Sequence, residues 1–428
     1  MTYQEALNFL YPLHRFGIKP GLERVQALLQ THGNPHKRLG RVVHLAGTNG
    51  KGTTAAALAA MFQASGYKTA LYTSPHLVDF TERIRINGQP ISQEFVAHYC
   101  AIMQSTIQAT NATFFEATTA LAFSWFADEA VEVAVIETGL GGRLDATNVV
   151  EPEFVVIPTI GRDHVEWLGV TLPAIAAEKA AIIKQGCSVF TAATQPEVLA
   201  VIEQQAQACN AALFLAGRDV HYEVVASEPG LLGLHVQTAT QRYAELYLPL
   251  TGTFHAATIA LSVQVAECAG LSAHIIKHGL QQLLQTGYRA RLEFVNNAPA
   301  IFLDVSHNPD GMKATVDALL TYRERYKRTF VLLGLASDKD ALAVIRELQR
   351  LNPLLVAVNI PSERSVAAEQ LGALCQQEGI EFIIQGDSVA GLRFIEQQAG
   401  ERDMVLITGS FFLAGELLAH GFFKAVMQ

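Results

Sequence analysis

The sequence is poor in what marks secreted, zinc-ribbon and nucleic-acid-binding chains. Its 428 residues hold only five cysteines, Cys100, Cys187, Cys209, Cys268 and Cys375. They lie far apart with no Cys-x-x-Cys, which excludes a disulfide framework and a zinc ribbon and fits a reducing cytoplasm. Basic excess is missing too: the formal net charge of −9 leaves no broad positive face for a polyanion, so a nucleic-acid partner is not expected. No apolar run approaches the roughly 18 residues of a membrane span. The opening Met-Thr-Tyr-Gln-Glu-Ala-Leu lacks the basic-then-apolar layout of a signal peptide. What remains is a chain with 50% apolar and 17% charged residues, long enough for two domains.

The most informative stretch is Arg41-Val-Val-His-Leu-Ala-Gly47-Thr48-Asn49-Gly50-Lys51-Gly52-Thr53-Thr54. The β-branched run before Gly47 reads as a buried strand and the alanine-rich run after Thr53 as a helix. The loop between them therefore sits where free backbone N–H groups and the helix dipole converge on an anion. Glycines 47, 50 and 52 let the backbone approach phosphate oxygens, Lys51 adds a cation, and the Thr53 hydroxyl could hold Mg2+. Gly47 to Thr53 is thus the expected phosphate-binding loop, with an ordinary tight turn as the other reading.

Further along, Lys68–Thr73 reads as a second strand, followed by Ser74-Pro75-His76-Leu77 and Asp79-Phe80-Thr-Glu82-Arg83 at a strand's end. A plain turn with surface charges would look much the same. Two helices are expected near 92–108 and 114–129, with Phe114, Phe115, Phe123, Trp125 and Phe126 as core. Before them, Leu7, Leu10, Leu13 and Phe16, then Leu22, Val25, Leu28 and Leu29, give two helical stripes for packing. The run Glu132-Val-Ala-Val-Ile-Glu137 ends a strand on an acid, the layout that holds Mg2+ opposite a phosphate loop, though such an acid can also be a solvated cap. Gly139-Leu-Gly141-Gly142-Arg143-Leu-Asp145 follows, with Arg143 and Asp145 expected to order it. A strand at 154–160 leads to Arg162-Asp163-His164, and a helix near 172–184 carries Lys179. The stretches 231–236 and 243–248 suggest a small antiparallel appendage. The run Phe294–Pro299 reads as an interdomain linker.

Beyond it, Ala300-Ile-Phe-Leu-Asp304-Val-Ser306-His307-Asn308-Pro309 is a strand ending on an acid, then a helix start. Strands near 329–333, 354–358, 381–384 and 403–408 alternate with helices, a Rossmann-like pattern without a Gly-x-Gly-x-x-Gly loop.

Gly-Thr-Asn-Gly-Lys-Gly-Thr, Ser-Pro-His-Leu, Glu178-Lys179-Ala and Asp304-x-x-His307-Asn308-Pro309 together resemble the folylpolyglutamate synthase/dihydrofolate synthase branch of the Mur ligase superfamily, over almost the whole chain. That resemblance implies an α/β architecture: a central P-loop ATPase domain (1–294) that also binds folate, a linker (295–299) and a C-terminal Rossmann-like domain (300–428). It implies an ATP-dependent ligase adding L-glutamate to a reduced folate, and optionally to dihydropteroate, through an acyl phosphate. The cofactor is Mg2+, in two sites, with a monovalent cation as an option. The partners are small molecules only, the chain is a monomer, and no membrane is involved.

By the same resemblance, Lys51, Lys179, Arg291 and His307 are catalytic, with Lys179 carbamylated. Arg291 and Asp304 join the ATP loop. Thr53, Ser74, Glu137 and His164 ligate metal, Ser74, Pro75, His76 and Arg83 bind folate, and His307 and Ser410 bind glutamate. The chain departs from the family pattern at Arg162, Ala181, His255, Thr258, Tyr288 and Arg289. These departures keep open a nucleotide-binding paralogue with weak or no ligase activity; a cell-wall Mur-type amino-acid ligase is the other alternative.

Overall fold

The computed structural model describes residues 1–17 and 19–423. Val42, Val43 and Leu45, buried and followed by the glycine loop, form β1 (Arg41–Leu45) near the middle of an eight-stranded sheet. Its other strands are β2 (Thr69–Tyr72), β3 (Ile84–Ile86), β4 (Gln89–Pro90), β5 (Val133–Glu137), β6 (Phe154–Ile157), β7 (Ser188–Thr191) and β8 (Ala212–Leu215), in the order β4-β3-β2-β5-β1-β6-β7-β8. The strands from β2 to β8 are parallel, and β3 and β4 add an antiparallel edge.

Parallel strands are apolar on both faces and need helices on both. The helix Lys51–Ala64, with Ala256–Cys268 and Ala273–Gln281, fills one side. On the other lie Gln93–Thr110 and Phe114–Asp128 with the N-terminal helices Tyr3–Leu10 and Glu23–Thr31. Leu7, Leu10, Leu13, Val25, Leu28 and Leu29 are buried there as expected, with Leu22 half-buried against them; the side chain of Phe16 lies outside the described residues.

Register is what builds the site. Glu137 pairs with Leu45, so its carboxyl leaves the sheet beside the glycine loop, and the C-terminal ends of β1, β2, β5 and β6 share the edge where α/β sheets place ligands.

The appendage has three strands, β9 (His221–Glu228), β10 (Leu231–Gln237) and β11 (Arg242–Leu248). Leu232, Leu234, Val236 and Leu246 pack from it into the core around the helix Lys51–Ala64.

The second lobe is a six-stranded sheet of β12 (Glu293–Asn297), β13 (Ala300–Leu303), β14 (Thr329–Leu333), β15 (Leu354–Asn359), β16 (Glu381–Asp387) and β17 (Met404–Thr408), in the order β12-β13-β17-β14-β15-β16. Residues 295–299 are not a linker. They are the end of the antiparallel edge strand β12 and its tight turn into β13, with Asn297 opposite Ala300 and the rings of Phe294 and Phe302 centred 5.3 Å apart. The asparagines and proline that suggest a linker are the residues a hairpin turn also uses. The chain crosses between the lobes just before β12.

Candidate active site

The glycine loop is shaped by the strand end beside it. Thr48 N donates to Thr159 O (2.8 Å), and the Thr48 hydroxyl bridges Gly161 N and O at 2.9 and 3.0 Å. Gly50 caps the helix Lys51–Ala64 at φ 85°. A side chain there would also meet Thr258 Cγ2 at 2.8 Å, so both backbone and space require glycine.

Two lysines converge on one carbonyl. Lys51 Nζ donates to Gly47 O (2.8 Å) and Thr48 O (3.2 Å), and Lys179 Nζ, from the helix Leu172–Ala180, donates to the same Gly47 O at 2.9 Å. Burial first, and then the charge of Lys51, bring Lys179 down to about 7. Lys51 is lowered as well, by burial, against the opposing pull of Glu137 and Asp163.

Glu137 is buried and its acidity is weakened by that burial, despite the fields of Lys51 and Arg291. Its Oε2 accepts from Ser74 N at 3.2 Å. The following loop is held by Asp145, which accepts from Leu140 N (2.8 Å), Thr147 N (3.0 Å) and the Thr147 hydroxyl (2.5 Å). Arg143 instead pairs with Glu178 at 2.9 Å on a half-exposed face.

Across the cleft, Asp163 meets the second lobe. Lys339 Nζ lies 3.2 Å from its Oδ1, and Asn308 Nδ2 donates to its Oδ2 (3.3 Å) and to Asn49 Oδ1 (3.2 Å). His307 Nε2 is 4.0 Å from the same carboxylate. Burial raises Asp163, but His164, Lys339 and His307 together bring it down to about 2. His164 keeps a 40% exposed side chain but sits in a poorly solvated cleft beside Lys339, Lys179 and His307, which together lower it to about 4 against the field of Asp163.

On the β2 side, Arg83 is buried, donates from Nε to His76 Nδ1 (2.8 Å) and lies with Cζ 5.2 Å from the Phe114 ring centre. His14 stacks on Phe114 at 3.9 Å, and Tyr11 lies 5.9 Å from the same ring. Phe114 itself is buried, and the rings of Tyr11 and His14 above it are exposed to solvent.

Residues 45–266 match the Mur ligase middle domain and residues 290–411 the glutamate ligase domain of Mur ligases. The chain is 35% identical over 431 residues to the dihydrofolate synthase/folylpolyglutamate synthase of Bacillus subtilis, covering 97% of this chain and 98% of that one. This chain belongs to the dihydrofolate synthase/folylpolyglutamate synthase family of Mur ligases. The fold agrees. Escherichia coli FolC in complex with DHPP and ADP superposes with a TM-score of 0.89 at 28% identity, over 98% of this chain and 97% of that one. The bifunctional synthase of Yersinia pestis, complexed with AMPPNP and an Mn ion, gives 0.86 at 29% identity, over 98% of each chain.

Within this folylpolyglutamate synthase-like frame, several expected residues do other work. The Thr53 hydroxyl lies 2.8 Å from Tyr288 OH and 3.4 Å from His255 Nδ1. Asp304 does not offer a free carboxylate to nucleotide. It accepts from Leu292 N (3.0 Å), Ser306 N (3.1 Å), Thr315 (2.9 Å) and Thr408 (3.4 Å), and so fixes the turn after β13 and the segment bearing Arg291. Ser410 caps the helix Phe411–Ala419 by accepting from Phe412 N at 3.0 Å, a bond that leaves its hydroxyl proton to donate.

Arg291 does face the loop, its Nη2 3.5 Å from where a side chain on Gly52 would begin and its Cζ 4.6 Å from the Phe411 ring centre. Arg162 is exposed. Among the described residues, no three His, Cys, Asp or Glu side chains converge as a metal cluster. Asp163, Asn308, Lys339, Tyr11, His14 and Phe114 are site-facing groups to which the sequence alone gave no functional role, since their partners lie many tens of residues away in the chain.

Proposed function

We propose that this chain is an ATP-dependent ligase that joins the amino group of L-glutamate to the γ-carboxylate of a reduced folate, with dihydropteroate as a second acceptor. The observation that carries this reading is one cleft holding the glycine loop with Lys51 and Lys179 on one wall and His307, Asn308 and Lys339 on the other. The site lies within a single chain, so no second copy is needed to complete it.

Loop amides and Lys51 would hold the terminal phosphates of ATP, with Arg291 facing them from the crossing segment. A carboxylate oxygen of the folate attacks the γ-phosphorus and the bond to ADP breaks, leaving an acyl phosphate. The amino nitrogen of glutamate then attacks the acyl carbon; the C–O bond to phosphate breaks, phosphate leaves and a proton is released. No protein nucleophile is used, so catalysis is positioning and charge stabilisation. His307, with Asn308 and Lys339 beside it, is placed to receive glutamate. Closure of the two lobes around Asp163 keeps water from the acyl phosphate.

The donor set fits a divalent cation: Glu137 is a buried carboxylate that takes a backbone N–H from Ser74 and has no cation at ion-pair distance among the described residues. Ser74, Glu137 and His164 would hold Mg2+, with a carbamate on Lys179 completing a second site; a monovalent cation is compatible with the same anionic edge. Such a cation would neutralise charge on the phosphoryl oxygens. Carbamylation needs a neutral amine, and a lysine lowered to about 7 supplies one near neutral pH. Ser74, Pro75, His76 and Arg83, with the exposed rings of His14 and Tyr11, suit the planar ring system of a folate. Five free cysteines fit the cytoplasmic setting we assign.

Incubation with ATP, Mg2+, L-glutamate and tetrahydrofolate should give glutamate-dependent ADP release, and a parallel reaction with dihydropteroate reads the second activity. Absence of glutamate-dependent ADP in both would overturn the reading.

A further inference from the structure

The segment that crosses between the lobes is strained on both sides of Arg291. Ala290 and Leu292 have φ of 56° and 51°, left-handed values that residues with a Cβ adopt only where their surroundings over-determine them. Those surroundings are visible. Leu292 N donates to Asp304 Oδ1 at 3.0 Å, Ala290 N donates to Glu293 Oε2 at 2.8 Å, and both side chains are fully buried. The arrangement throws Arg291 toward Gly52 in the first turn of the phosphate-loop helix.

The start of the same segment is tied to that same turn. The hydroxyl of half-buried Tyr288 lies 2.8 Å from the Thr53 hydroxyl, one residue beyond Gly52, and His255 Nδ1 stands 3.4 Å from the same Thr53 oxygen. His255 Nδ1 and the Thr53 hydroxyl can pair in either tautomer, and His255 Nε2 is buried without a partner. The Tyr288 and Thr53 hydroxyls share one hydrogen bond in which either can donate.

We propose that Tyr288, through Thr53, is a positioning residue that registers Arg291 against the phosphate-binding turn. This rests on the ligase reading for the role of Arg291, but its test does not use turnover. The full chain is titrated calorimetrically with adenylyl imidodiphosphate and Mg2+, for wild type, Tyr288→Phe, Thr53→Val, Arg291→Ala and the Tyr288→Phe/Arg291→Ala double variant.

Losing one hydrogen bond that fixes a charged group predicts about tenfold weaker binding for Tyr288→Phe. Thr53→Val should match it, Thr53→Ser should bind like wild type, and Tyr288→Phe should add nothing in the Arg291→Ala background. Thermal melts check that each variant folds; if Tyr288→Phe does not, Thr53→Val in the two Arg291 backgrounds carries the same comparison. Wild-type binding by the hydroxyl-deleted variants, or an equal loss with and without Arg291, overturns the proposal. Failure of the wild type to release ADP with glutamate would instead count against the ligase reading, leaving the binding result interpretable.

Discussion

Lys51 and Lys179 donate to one carbonyl, that of Gly47, at 2.8 and 2.9 Å. Two ammonium groups that close, out of water, cannot both keep their protons at ordinary values, and the more enclosed Lys179 yields, to about 7. Its proton is therefore held by the unfolded chain but not the folded one between about pH 7 and about pH 10.4, so this group makes the fold more stable as pH rises through that window. The same shift controls carbamylation, in which the neutral nitrogen attacks CO2, an N–C bond forms and a proton leaves to solvent. With 13C-bicarbonate, a carbamate carbon resonance should grow in as pH is raised through about 7 and be absent from Lys179→Arg. A resonance of equal intensity in that variant would show the carbamate to be elsewhere.

The elements place these residues by close backbone approach. A methyl on Gly142 would meet Glu178 O at 2.5 Å and Lys179 O at 2.9 Å, so the loop after β5 can lie against the Lys179 helix only with glycine there. Gly142→Ala should lose about 1–3 kcal/mol of stability, measured by denaturant titration, and should lower turnover by moving Lys179; unchanged stability would mean the loop has room the structure does not show.

The strand–loop–helix around Gly47 was legible in the sequence because the hydrophobic period changes at contiguous residues. Glu137 was legible because it ends a four-residue apolar run. β9 was not: His-Tyr-Glu-Val-Val-Ala-Ser-Glu is exposed along most of its length and shows no alternation. β12 was hidden by turn-forming residues. Tyr11 and His14 went unremarked because Phe114, the ring they meet, lies about a hundred positions on. The Thr53 hydroxyl could not be assigned without knowing that Tyr288 reaches it.

At the scale of the molecule, two sets of contacts hold the lobes. In front, Asp163 joins Lys339 and Asn308; behind, the Ser227 and Tyr322 hydroxyls meet at 2.8 Å and Glu228 pairs with Arg325. The front pair is largely enclosed, with side-chain exposures of 11% and 15%, so removing one partner leaves a poorly solvated charge. Lys339→Met should lower kcat/KM for glutamate about tenfold and expand the particle in small-angle scattering, and Asp163→Lys with Lys339→Asp should recover the compact form. Unchanged scattering in Lys339→Met would locate closure at the rear contacts alone.

The central step is phosphoryl transfer from ATP to a substrate carboxylate within this cleft. The direct measurement is a reaction with folate labelled with 18O in its γ-carboxylate, followed by mass spectrometry of the released phosphate. One labelled oxygen per phosphate, appearing only with glutamate present, is the predicted result; phosphate free of label, with ligation proceeding, would contradict an acyl phosphate and the chemistry assigned to the site.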